Sequence, residues 1–206
     1  MKILAHRGLW NQVSEKNTVN SIKQAYCNGF GIETDLRDYK EQLVISHDIA
    51  TAGSPLAETI FTEYVAADST EFLALNVKAD GIQNHIKRLI EQYHIKEYAV
   101  FDMSIPEMVV YEKMNINFFT RQSEIESTPV MYDKACGVWM DEWSEDWIRK
   151  DIVENHLING KYVGIISPEI HGRDRMKLWN ELKQIKDDKL MLCTDIPFEA
   201  RRFFDE

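Results

Sequence analysis

Cysteine, proline and glycine are all scarce: the 206 residues hold 3 Cys, 5 Pro and 9 Gly. Cys27, Cys136 and Cys193 are odd in number, far apart and without a Cys-x-x-Cys pair, so neither a disulfide framework nor a zinc site is indicated. They read as buried small hydrophobes. No Pro/Gly/Ser-rich linker, low-complexity tract, long charge run or sequence repeat divides the chain, and residues 1–206 read as one domain. Long apolar runs are missing as well. Met1-Lys2-Ile3-Leu4-Ala5 runs straight into His6-Arg7, and no stretch reaches membrane-spanning length. No signal peptide or stable membrane insertion is expected, and the chain is expected to be cytoplasmic. Positive charge is also in deficit, with 24 Lys+Arg against 34 Asp+Glu and a formal net charge of -10. A nucleic-acid binder needs a basic face, so nucleic acid is not an expected partner. The sequence leaves the oligomeric state open.

What is present is an ordinary globular balance, 44% hydrophobic and 28% charged, which argues against disorder. Short β-rich apolar runs recur at residues 3–5, 31–36, 72–77, 98–102, 117–120, 137–141, 162–167 and 189–194. Helical spacing falls between them at 18–28, 82–93, 147–156 and 175–185, and Pro197 opens a last helix to residue 204. Strand and helix alternating eight times predicts an α/β fold, a compact (β/α)8 TIM barrel, with a doubly wound open sheet as the competing topology. A typical barrel has about 250 residues, so several helices here must be short or replaced by loops.

In a barrel, function gathers at the C-terminal strand ends. His6-Arg7-Gly8 closes the first strand, Glu33 and Asp35 the second, and Asn76-Val77-Lys78 the third; Asp102, Asp141-Glu142, Glu169 and Thr194-Asp195 follow. Alternation along Gly31-Ile32-Glu33-Thr34-Asp35 puts both carboxylates on one face. Two acids that close repel each other in an apolar setting, and a hard divalent cation, Mg²⁺ or Ca²⁺, removes the conflict. Taken alone, such a pair is more often two solvated acids on a surface strand. In Ser167-Pro168-Glu169-Ile170-His171-Gly172-Arg173, His171 and Arg173 have the chemistry to bind a phosphate, Arg173 with two parallel bonds. His85, His94 and His156 lie in helical patterns and read as solvated or capping. One of Trp10, Trp139 and Trp143 is a candidate pocket wall.

Four motifs, His6-Arg7-Gly8, Asn17-Thr18, Gly31-Ile32-Glu33-Thr34-Asp35 and Val44-Ile45-Ser46-His47-Asp48, occur in an order and spacing that resembles the glycerophosphodiester phosphodiesterases. These belong to the phosphatidylinositol-specific phospholipase C-like barrels. The resemblance covers roughly the first quarter of the chain. It implies a metal-dependent phosphodiesterase acting on a small-molecule phosphodiester, with His6 and His47 as the catalytic pair. Glu33 and Asp35 correspond to metal ligands, and Arg7 to a phosphate contact. The family usually has a glutamate as third ligand where this chain has Asn76; Lys78 matches the basic residue two positions on. The expected reaction is hydrolysis of a glycerophosphodiester or a similar polyol-phosphate diester. The alternatives are a lyase that stops at a cyclic phosphate and a non-catalytic phosphoester-binding module with a weakened metal site.

Overall fold

The computed structural model describes residues 1–206. Its strands are β1 (Lys2–His6), β2 (Gly31–Tyr39), β3 (Gln42–Ile45), β4 (Leu73–Val77), β5 (Tyr98–Phe101), β6 (Phe119–Ser123), β7 (Gly137–Asp141), β8 (Tyr162–Ile166) and β9 (Leu190–Thr194). All but β3 pair in parallel, in the order β5-β4-β2-β1-β9-β8-β7-β6. The ring closes between β5 and β6 through one parallel bridge, Val100 to Phe118, with the Val100 N–H donating to the Asn117 carbonyl at 3.0 Å. The molecule is therefore the expected (β/α)8 barrel.

Two strand readings needed correction. β3 folds back antiparallel on β2, and its turn residues Lys40 and Glu41 both have positive φ, 48° and 63°, as a tight type I′ hairpin requires. β6 runs to Ser123, two residues later at its start and three later at its end than the apolar run suggests, because Arg121 and Gln122 are polar strand residues.

Seven short helices cover the ring: α1 (Val19–Cys27), α2 (Glu58–Ala66), α3 (Gln83–Gln92), α4 (Ile105–Lys113), α5 (Lys150–Ile158), α6 (Met176–Lys183) and α7 (Pro197–Asp205). None exceeds 10 residues, and no α-helix follows β6, which accounts for the economy in length. No helix is long and apolar enough to cross a membrane. Of the cysteines, only Cys193 is buried; Cys27, at the end of α1, is exposed, contrary to the expectation for all three.

The two faces of each strand feed two cores. Leu4, Phe72, Ala74, Ala99, Phe101, Phe119, Trp139, Ile166, Met191 and Cys193 fill the barrel interior. Their neighbours Ala5, Leu73, Leu75, Val100, Val138, Ile165 and Leu192 pack outward against the helices. The interior depends on one close approach in particular. A Cβ on Gly164 would stand 2.4 Å from the Trp139 ring, so glycine is what lets the indole lie flat inside the barrel. Gly164→Ala should lower stability by about 1–3 kcal/mol, read as a lower urea midpoint at unchanged slope.

His156 is neither solvated nor a cap. It is a buried residue of α5, with its Nε2–H donating to Gln122 Oε1 and its Nδ1 accepting from the Tyr132 hydroxyl, both at 2.9 Å. Both nitrogens are used by the neutral ring, and burial holds its pKa below the ordinary 6.5. The folded state then binds fewer protons than the unfolded chain, so this contribution to stability is present above 6.5 and is lost as pH falls towards the folded-state pKa. Urea midpoints measured from pH 7.5 down to 5 should therefore fall less steeply in His156→Gln than in the parent.

Candidate active site

The interior alternation sets the site. After Leu4 comes His6; after Gly31 come Glu33 and Asp35; after Ala74 comes Asn76; after Trp139 comes Asp141; after Cys193 comes Asp195. All lie on the inner face at the C-terminal mouth, where the register sets His6 beside Glu33 and Asp35 beside Asn76. Two neighbours break the alternation. Arg7 and Asp102 follow inward-facing residues and in extended chain would point outward. Both have left-handed backbones, φ 58° and 68°, and both side chains line the mouth. Such conformations cost free energy for a residue with a Cβ and persist where the surroundings hold them.

The mouth encloses a cavity of about 600 Å³ that His6, Arg7, Lys16, Glu33, His47, Asn76, Lys78, Asp102, Asp141 and His171 line with polar groups. Phe101, Trp139, Trp143, Ile166 and Ile170 form its apolar wall, so two of the three candidate tryptophans take that place. A second cavity of about 650 Å³ shares Lys78, Asp102 and Trp143 with it and adds Asp80, Arg121 and Glu126.

His6 is buried, and its Nδ1–H donates to Asp195 Oδ1 at 2.6 Å. Lys16 Nζ, stacked 4.3 Å over the Trp10 ring, donates to the other Asp195 oxygen at 3.1 Å. Nδ1 is thereby committed, leaving His6 Nε2 as the nitrogen facing the pocket, 3.8 Å from Glu33 Oε2. Burial pulls the His6 pKa below 6.5, partly offset by the Asp195 bond, so the ring is neutral at pH 7. Burial alone would raise Asp195; the bonds from His6 and Lys16 outweigh it and hold the carboxyl below its usual range. His47 follows β3 on the same cavity and is 45% exposed at its side chain, with Nδ1–H donating to Asp48 at 2.8 Å.

The acids beneath them are almost sealed. Asp35 is fully buried, accepts from Asn17 Nδ2 at 2.7 Å and pairs with Arg7 Nε at 3.1 Å and Lys78 Nζ at 3.6 Å. Burial, reinforced by the Asp35 charge, pushes Glu33 up to about 8. Glu33 Oε2, Asp35 Oδ1 and Asn76 Oδ1 are each buried without a hydrogen-bond partner. Of the three, only Asp35 Oδ1 has a cation near it, Lys78 Nζ at 3.6 Å; acceptors buried in this way are costly unless something electropositive meets them, and all-oxygen donors suit Mg²⁺ or Ca²⁺. No cluster of three His, Cys, Asp or Glu side chains stands in ligating arrangement; the available set is two carboxylates and an amide.

His171 faces the cavity as expected, its Nε2–H donating to Asp141 Oδ1 at 2.7 Å, and that bond raises its pKa above 6.5. Arg173 does not. Its guanidinium is taken up by the Glu142 carbonyl and the Asp146 carboxylate, which places it in the loop after β7 and away from the cavity. The pairing of Asp195 and Lys16 with His6 was not legible: Asp195 stood out only as a strand-end acid, and Lys16 lies in a loop without a motif.

A (β/α)8 barrel whose mouth carries three histidines, His6, His47 and His171, over buried acids is the class that fold and site define together. Solved structures share the architecture. A Galdieria sulphuraria protein matches with a TM-score of 0.76 at 19% identity, over 100% of this chain and 98% of its own. The glycerophosphodiester phosphodiesterase of Agrobacterium tumefaciens matches at 0.75 and 15%, over 100% of both chains. An Oleispira antarctica phosphodiesterase, solved with its product sn-glycerol-3-phosphate, matches at 0.72 and 16%, over 100% of this chain and 97% of its own. These likenesses establish the common barrel. No protein-family model and no curated sequence matches the chain.

Proposed function

We propose that the chain is a metal-dependent phosphodiesterase that hydrolyses a glycerophosphodiester or a similar polyol-phosphate diester, with His6 and His47 as base and acid. The observation that carries the reading is His6, fixed by Asp195 and facing, with His47, one cavity that Glu33 and Asn76 also line, each with a side-chain oxygen that has no hydrogen-bond partner. The fold it shares with barrels named as phosphodiesterases supports it.

Hydrolysis needs a proton removed from water as it attacks phosphorus and a proton given to the departing alkoxide. His6 Nε2, neutral and aimed by Asp195, takes the first. His47, whose Nδ1–H donates to Asp48, gives the second from Nε2. Arg7 and Lys78 hold the phosphoryl oxygens against the floor, and His171, bonded to Asp141, which raises its pKa, holds the polar end of the ester. A divalent cation on Glu33, Asp35 and Asn76 would neutralise charge on the phosphoryl group.

The test is direct. Purified protein with Mg²⁺ or Ca²⁺ should release glycerol phosphate from glycerophosphodiesters and stop when chelated. Phosphorus NMR should show a monoester as first product. A cyclic diester would make the enzyme a lyase, and tight ester binding with no turnover would make it a binding module.

A further inference from the structure

An asparagine amide carries an acceptor and a donor on the same carbon, so Asn76 can ligate a cation only when its oxygen is turned to the site. Asn76 Nδ2 donates to Asp102 Oδ2 at 3.0 Å. The opposite rotamer would set Oδ1 against that carboxylate, acceptor facing acceptor. Asp102 therefore favours this rotamer, as does Glu33, whose carboxyl the same amide also faces, and Asn76 Oδ1 is left buried without a hydrogen-bond partner on the strand position paired with Asp35.

Asp102 is itself held for the task. Its left-handed backbone returns its carboxylate to the mouth, where Lys78 Nζ stands 3.6 Å away and Arg121 Nη1 3.9 Å away, the latter also donating to the Asp102 carbonyl at 3.3 Å. We propose that Asp102 is a positioning residue that converts Asn76 into the third oxygen ligand of the divalent cation and supplies, from one shell out, the negative charge the amide lacks. The inference rests on the metal-dependent reading above. The physical basis is a charge-assisted hydrogen bond that polarises the amide towards its oxygen, and outer partners of this kind typically change metal affinity by about 10–100-fold.

The test is calorimetric titration of Mg²⁺, and separately Ca²⁺, into the chelator-stripped full chain, with the metal-induced rise in Tm as second readout. Asp102→Gly removes both acceptor and charge at a position whose φ glycine adopts freely, and should weaken binding about 10–100-fold. Asp102→Asn keeps an acceptor without the charge, and should bind at an affinity between Asp102→Gly and the parent. Asn76→Glu combined with Asp102→Gly should recover parental affinity, because a carboxylate needs no turning. Parental affinity in Asp102→Gly and Asp102→Asn would overturn the inference and leave the phosphodiesterase reading standing. Equal weakness in the single and double variants would overturn it in favour of direct ligation by Asp102. No binding by the parent at millimolar Mg²⁺ or Ca²⁺ would overturn both the inference and the metal dependence on which it rests.

Discussion

Replacing His6 with alanine should lower kcat on a glycerophosphodiester by about 10²–10⁴-fold, the range for loss of a positioned general base. The effect belongs to the chemical step. His6 makes one side-chain hydrogen bond, to Asp195, and Asp195 keeps Lys16 when the imidazole goes, so the fold should stay intact by circular dichroism. His47→Ala should cost a similar factor with an even smaller effect on stability, since that ring is nearly half exposed. The double variant should fall short of the product of the two factors, because residues that act on one phosphorus as a unit are not additive. The pH profile supplies a second check. The acid limb of kcat/KM should report a group titrating below 6.5, and His6→Ala should remove that limb. A kcat within tenfold of the parent in His6→Ala would remove the histidine from the chemistry.

Glu33→Gln should abolish metal stabilisation while leaving the metal-free protein as stable as the parent or more so. Glu33 sits buried beside Asp35 with one oxygen unpartnered, and that environment pushes its pKa up to about 8 from the ordinary 4.5. The sign follows from the proton count. Between about 4.5 and 8 the folded metal-free protein holds a proton that the unfolded chain has released, so this contribution to stability is full below 4.5 and declines as pH rises to 8. Glutamine removes the decline. A cation saturating the parent at a hundred times its Kd adds about 2.7 kcal/mol, or roughly 5–10 °C in Tm for a chain of this size. The variant should show almost none of it. Equal metal-induced shifts in parent and variant would take Glu33 out of the metal site.

The eight parallel strands were legible because most are short apolar runs between turn signals, and alternation put Glu33 and Asp35 on one face, which the barrel turns inward. Helix α4 was legible too but missed. Ser104 caps it and Pro106 and Glu107 follow, the signals of a helix start. Helix α2 gave no comparable signal, since Ala57 makes no side-chain cap and four of its residues are β-branched. In the site, the family resemblance pointed to His6, His47, Glu33, Asp35 and Asn76, and the fold brings these residues to one end of the barrel. The resemblance could not reach what depends on a long-range contact or a local departure from extended chain. Asp195 meets His6 across 189 positions, and Asp102 enters the cavity through a positive φ that residue type alone does not announce. Arg173 fails for the opposite reason. Its residue type suits a phosphate, but Asp146 and the Glu142 carbonyl had already taken its donors.

The most direct measurement is a crystal structure of the protein with a divalent cation and glycerol phosphate. The phosphorus should lie in the mouth cavity between His6 Nε2 and the His47 ring, on opposite sides, with the cation on Glu33, Asp35 and Asn76. A phosphate bound elsewhere, or histidines too far apart to share one phosphorus, would contradict the proposed chemistry.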